Sequence, residues 1–155
     1  MVTLYENDGA RIIMGYSQCF TQLRPVEPFE WESICKDFRK MMVIALMNDP
    51  LPIQLSFADD SPALISDNEI IFNGSEGDCC ESMVLQREGG GFQCVKTRLR
   101  PYDRVVTALL ILADYHAPGT WIISSEGRSS DWQEGLELAR TVQPDCVLPS
   151  GVEDE

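Results

Sequence analysis

The chain has 155 residues, 44% hydrophobic and 24% charged, ordinary proportions for one compact globular domain. At this length folding buries roughly 70% of the unfolded chain's surface, so neither metals nor disulfides are needed to hold a core. Twenty-five acids against twelve bases leave a net charge of −13, which argues against nucleic acid or an anionic membrane as a direct partner.

The longest nearly apolar run, Val105–Ala113, is far short of the ~20 residues a membrane span requires. Met1–Asp8 has neither the basic start nor the apolar run of a secretory signal, so a cytoplasmic protein is expected. The six cysteines, Cys19, Cys35, Cys79, Cys80, Cys94 and Cys146, contain no C-x-x-C pair, and His116 is the single histidine. That spacing predicts no metal site and no cofactor, and in a cytoplasm it predicts reduced thiols that act as small apolar residues.

In chain order, Val2–Tyr5 reads as a short strand and Arg11–Leu23 is ambiguous. Apolar residues recur at helical spacing from Ile34 through Phe38, Met41, Met42 and Ala45 to Leu46, which predicts a helix over about 28–48. Pro28 suits its first turn and Asn48-Asp49-Pro50 its stop. Ile53–Phe57 and Glu69–Asn73 are short strand candidates in an acidic, loop-rich stretch. Two strand-length runs, Glu81–Glu88 and Phe92–Leu99, flank Gly89-Gly90-Gly91 and predict a hairpin. Pro101 opens a second helix to about His116, apolar nearly all round and therefore central. Thr120–Ser125 is a strand, and Ser130 starts a third helix, to about 142, with Gln133 at capping-box spacing and Trp132, Leu136 and Ala139 inward. The expected fold class is α+β: a small, mostly antiparallel sheet with about three helices in one domain, 1–155, ending in a loose acidic tail from 149.

Charge is distributed unevenly along this order. Residues 49–88 hold nine acids against Arg87 alone, and residues 126–155 hold eight acids against Arg128 and Arg140. Between them, Lys96, Arg98, Arg100 and Arg104 outnumber Asp103 and Asp114. Two acidic segments therefore flank a slightly basic one, and if they fold to one side the field attracts cationic surfaces at long range. The plain alternative is a solvated, solubilising surface.

Polar residues near the ends of three elements form the most suggestive chemical set: Lys96, Thr97 and Arg100, then Asp103, then Ser124, Ser125, Glu126, Asp131 and Trp132. Strands that leave for helices on one side of a sheet would bring these groups together. Taken singly, Asp103 and Asp131 are anions at helix starts and Lys96 an exposed strand lysine. His116 stands at a helix C-terminus, where a structural role needs no further partner and a general-base role needs a nucleophile beside it. Cys79-Cys80 has acidic neighbours that disfavour thiolate, and the surrounding acids lack the spacing of a calcium loop.

Phe72-Asn73-Gly74, Lys96-Thr97 with Pro101-Tyr102-Asp103, Ser124-Ser125-Glu126-Gly127 and Asp131-Trp132-Gln133-Glu134-Gly135 resemble landmarks of small uncharacterised proteins of tailed bacteriophages and bacteria. The resemblance spans roughly Ile70–Arg140, with Glu126 where that pattern more often has Asp. It implies no activity and transfers no catalytic residue; it implies an intracellular protein of phage or mobile-element origin.

The reading these features favour is a non-enzymatic acidic module that binds, and in a phage setting inhibits, a basic host protein that handles nucleic acid. Asp49, Asp59, Asp60, Asp67, Glu69, Glu76, Asp78, Glu81, Asp131, Glu134 and Glu137 are its candidate contact residues. The alternative is a small hydrolase or transferase with a polar site near Lys96, Asp103, His116 and Glu126. A homo-oligomeric structural component, associating through tryptophans and the methionine-rich helix, is a third reading.

Overall fold

The computed structural model describes residues 3–7, 10–48 and 53–152. Three α-helices and three antiparallel sheet pieces make the α+β class. Strand β1 (Thr3–Asn7) pairs with β2 (Ala10–Met14) as a hairpin, so the ambiguous Arg11–Leu23 stretch divides into β2 and a separate strand, β3 (Ser17–Gln22). Helix α1 (Pro28–Asn48) starts and stops where its prolines require. After β4 (Ile53–Gln54) and β5 (Leu64–Ile65) come β6 (Glu69–Gly74), β7 (Met83–Gln86) and β8 (Phe92–Lys96). Helix α2 (Asp103–His116), β9 (Trp121–Ser125), a 3₁₀ turn (Ser129–Trp132) and α3 (Gln133–Arg140) complete the order.

The expected hairpin over 81–99 has both its strands, but they take different partners. β7 pairs with β6, while β8 pairs with β3, which also pairs with β9 to give the order β8-β3-β9. The cause lies at the glycine turn, where the end of β3 is wedged in. Gln22 donates its backbone N–H to Gly91 O (2.9 Å) and its side-chain amide to Arg87 O (2.7 Å). A Cβ on Gly90 would stand 2.4 Å from Gln22 Oε1, so any side chain there must displace the Gln22 amide from its bond to Arg87 O. The two strands still touch at the seam, through Glu81 N–H to Lys96 O (3.0 Å) and the Gln93–Gln86 side-chain pair (3.1 Å).

Helix α2 is buried without interruption from Val105 to Ala113, as an apolar circumference requires, and α1 and α3 pack on it. Phe38 of α1 stacks on Phe72 of β6, with centroids 5.7 Å apart, which joins the four-stranded sheet of β4–β7 to the helical layer. Gly135 lets α3 approach α2 closely: a Cβ there would lie 2.0 Å from Thr107 Oγ1. Among the described residues, no helix is long and apolar enough to cross a membrane.

Four further expectations are corrected. The third helix is shorter than 130–142, because its first turn is 3₁₀ and its α-helical part ends at Arg140. Leu46, assigned to the inner stripe of α1, is 58% exposed, since the helix end extends past the core. The tail is not loose over its described part: Pro149 and Val152 are buried, and a Cβ on Gly151 would stand 1.8 Å from Ile123 O, so this segment covers the edge of β9. Cys19 and Cys94 are not reduced thiols but a disulfide, formed because the register of β3 on β8 sets them directly opposite.

Candidate functional site

The N-terminal end of α2 gathers groups from four elements. Asp103, 4% exposed, accepts at Oδ1 from Thr97 Oγ1 (2.6 Å) at the end of β8 and from Gln18 Nε2 (3.1 Å) of β3. The Gln18 amide also donates to Tyr16 Oη (3.2 Å), and its Oε1 accepts from Ser125 Oγ of β9. Ser125 Oγ in turn accepts from Trp132 Nε1 (3.1 Å) and from the Gly127 N–H (2.9 Å). One hydrogen-bonded chain therefore runs Thr97–Asp103–Gln18–Ser125–Trp132.

Burial pushes the Asp103 carboxyl up to about 6; the bonds from Thr97 and Gln18 oppose that rise, and the charges of Asp131 and Glu134 add to it. Burial, with Asp103 nearby, likewise holds the Tyr16 phenol above its ordinary range. Chemically, this network encloses a carboxyl that gives up its proton only near pH 6. With the carboxyl so covered, its direct effect is to lock β3, β8, β9 and the start of α3 together.

The short motifs around Asn73, Thr97, Ser125 and Trp132 fall on this network and its surroundings. Asn73 is buried and pins the loop 74–82: its Nδ2 donates to Cys80 O (2.9 Å) and Ser82 Oγ (3.1 Å), and its Oδ1 accepts from Cys80 N–H (3.1 Å). Gly74 leaves space for Asp78 O, which a Cβ would meet at 2.3 Å, and Gly127 leaves space for Tyr16 Oη, at 2.0 Å. Tyr102 Oη donates to Glu81 O (2.6 Å). Between Thr97 and Pro101 the chain turns through Arg98 and Leu99, both left-handed at φ 54° and 53°.

Three members of the enzyme alternative lie at this end of α2 and one does not. Lys96 is held through its backbone: its N–H donates to Glu81 Oε1 (2.6 Å) and its carbonyl accepts from Tyr102 Oη (3.3 Å). Glu126 follows β9, with its N–H on Ser17 O (3.1 Å). His116 occupies the opposite end of the 14-residue helix, about 20 Å from Asp103 at 1.5 Å per residue. There its Nε2 bonds Asp37 Oδ2 (2.6 Å) of α1, which also accepts from Gln143 Nε2 (2.9 Å). Sequence reasoning missed Gln18 and Tyr16, which contribute more to the network than Lys96 does.

The candidate acids divide into groups. Asp131 and Glu134 lie within electrostatic reach of Asp103, and the Glu81 carbonyl accepts from Tyr102 Oη beside it, so each acidic segment contributes residues near the start of α2. Asp131 also accepts the Arg128 N–H at Oδ2 (3.0 Å), which caps the turn. Asp60 and Glu76 line one open cavity of about 440 Å³ with Gln54, Cys79 and the exposed ring of Phe57. Asp59 lies next to Asp60, held below the usual carboxylate range by hydrogen bonds from Ser61. Asp78 is half-buried in the 74–82 loop, and Glu137 is exposed on α3. Asp67 stands apart, in the turn between β5 and β6, and Asp49 lies outside the described residues. Among the described residues, no cluster of His, Cys, Asp and Glu is arranged to hold a metal ion. Burial pushes the free thiols of Cys35 and Cys146 up to about 11, so both are neutral.

Comparison of the chain with known protein families, curated proteins and solved structures finds no match.

Proposed function

We propose that the chain is a non-enzymatic protein-binding module whose acidic face engages a basic partner. The observation that carries this reading is that Glu81, whose carbonyl accepts from Tyr102 Oη, and Asp131 and Glu134, within electrostatic reach of the neighbouring Asp103, all lie about the start of α2, although some fifty residues separate them in sequence. Asp60, from the segment between β4 and β5, and Glu76, on the 74–82 loop that leads to Glu81, extend the acidic surface beside exposed Phe57. Carboxylates around an aromatic ring suit a surface rich in Lys and Arg, because charge guides the encounter and the ring supplies desolvated contact. Following the phage-like landmarks, the partner is a host protein with a cationic, phosphate-binding site, which such a face occupies in place of nucleic acid.

The test is binding to an immobilised Lys- and Arg-rich peptide at two ionic strengths. Going from about 0.1 M to about 1 M salt shortens the screening length from about 10 Å to about 3 Å, so retention should collapse. Asp60→Lys, Glu76→Lys and Glu134→Lys together should abolish it at low salt. Retention that ignores salt, or that survives the three reversals, would overturn the proposal.

A further inference from the structure

A second cavity, of about 450 Å³, opens where the start of α1 meets the turn between β5 and β6. Its volume falls within the roughly 300–1,000 Å³ usual for small-molecule sites. Trp31 and Cys35, both buried, give it an apolar wall, and the indole is fixed by Nε1 donating to Ser66 O at 2.9 Å. Four charged side chains line the same space: Arg39 and Glu32 from α1, Asp67 from the turn, and Arg87 from the end of β7.

Those four charges are not spent on one another. Arg39 donates from Nη2 to Ile65 O (3.3 Å) and Arg87 from Nε to Val26 O (3.2 Å). Among the described residues no ion pair joins any two of the four. Each guanidinium thus gives one N–H to a backbone carbonyl; Arg39, Glu32 and Asp67 are exposed at the mouth of the cavity and Arg87 is half-buried. Arg39 and Asp67 both lie within electrostatic reach of the Cys35 thiol and line the same cavity.

We infer that this cavity binds a small zwitterion, an α-amino acid with an apolar side chain. Its carboxylate would take the open forks of Arg39 and Arg87, its ammonium the carboxylates of Asp67 and Glu32, and its side chain the Trp31–Cys35 wall. Charge arithmetic selects this class. A simple anion meets two carboxylates here and a chain of net charge −13, and a simple cation meets two guanidiniums. A zwitterion has no net charge to be repelled and satisfies both signs. The inference is independent of the acidic face, which lies on other residues.

The experiment is calorimetric titration of the full chain with L-leucine and L-phenylalanine, each beside its amide and its N-acetyl form. The free amino acids should bind, and removing either charge should weaken binding at least about tenfold, which is about 1.4 kcal/mol. Arg39→Gln and Arg87→Gln should each weaken the amino acid by a similar factor, with unchanged melting temperature as the check on folding. Asp67→Asn should weaken L-leucine and leave N-acetyl-leucine unaffected, a crossed result that lost folding cannot produce. No binding of either amino acid up to about 10 mM, beyond the millimolar range of about −4 kcal/mol, would overturn the inference. So would equal affinity for the amides, or substituted proteins that bind as the parent does.

Discussion

Replacing Asp103 by Asn tests the buried network at its centre. An aspartate in the unfolded chain titrates near 3.9, and in the fold Asp103 is pushed up to about 6 by burial. Between those values the native state holds a proton that the unfolded state has lost, so this group makes stability fall as pH rises. Its contribution is fully present below about pH 4 and lost above about pH 6. Raising the carboxyl from near 3.9 to about 6, at about 1.4 kcal/mol per pH unit, gives a change of about 3 kcal/mol across the whole titration. Asp103→Asn keeps an oxygen acceptor for Thr97 and Gln18 but cannot ionise, so its stability carries no such slope. Urea unfolding of both proteins at pH 4, 5, 6 and 7 isolates the site, because every other titrating group is common to the two. The parent should lose about 2 kcal/mol relative to Asp103→Asn between pH 4 and pH 7, the rest of the change lying below pH 4. A difference that stays flat over that range would refute the raised carboxyl, and with it the claim that burial outweighs the two hydrogen bonds.

Two further outcomes concern stability. The Cys19–Cys94 bond closes a loop of 75 residues, so Cys19→Ser with Cys94→Ser should cost about 4 kcal/mol on the chain-entropy scale. Melting with and without reductant checks it, and an unchanged transition in reductant that has freed both thiols would contradict it. Gly127→Ala forces a methyl to within 2.0 Å of Tyr16 Oη and 2.8 Å of its ring, which should cost about 1–3 kcal/mol, or about 2–4 °C of melting temperature for each kcal/mol. A melting temperature equal to that of the parent would show that the Tyr16 ring moves aside freely.

What could be read from the sequence is what local chemistry decides. Pro28 and Asn48 bracket α1, and the apolar circumference of Val105–Ala113 announces a central helix. Strand partnership could not be read, since it depends on contacts across long stretches of chain. The glycine turn between β7 and β8 looks like a hairpin until Gln22, some seventy residues earlier, is known to occupy it. Cys19 and Cys94 become partners only once β3 is known to lie on β8. β3 itself was obscured because one of its inward positions is Gln18, a polar residue that breaks the alternation marking a half-buried strand. The same residue completes the polar site, so missing the strand also meant missing the network. Asp103 was visible, but as a helix-start anion, and nothing nearby in sequence distinguishes that role from a buried acceptor.

The two polar regions have different roles even though they meet. Glu81 belongs to both: its carbonyl accepts from Tyr102 Oη, and its carboxylate takes the Lys96 N–H that closes the seam between the sheets. Reversing its charge would disturb strand contacts along with the surface field, so lost binding in such a variant could not be assigned to electrostatics. Asp60, Glu76 and Glu134 are exposed, and a lysine at any of them alters the field with little effect on the core. Asp131 sits between these cases, because its carboxylate caps the turn that delivers Trp132 to Ser125. The face proposed to bind thus borders a helix start whose geometry is set from inside, by Asp103 and its partners. For that reason the reversals that test binding are confined to the exposed carboxylates.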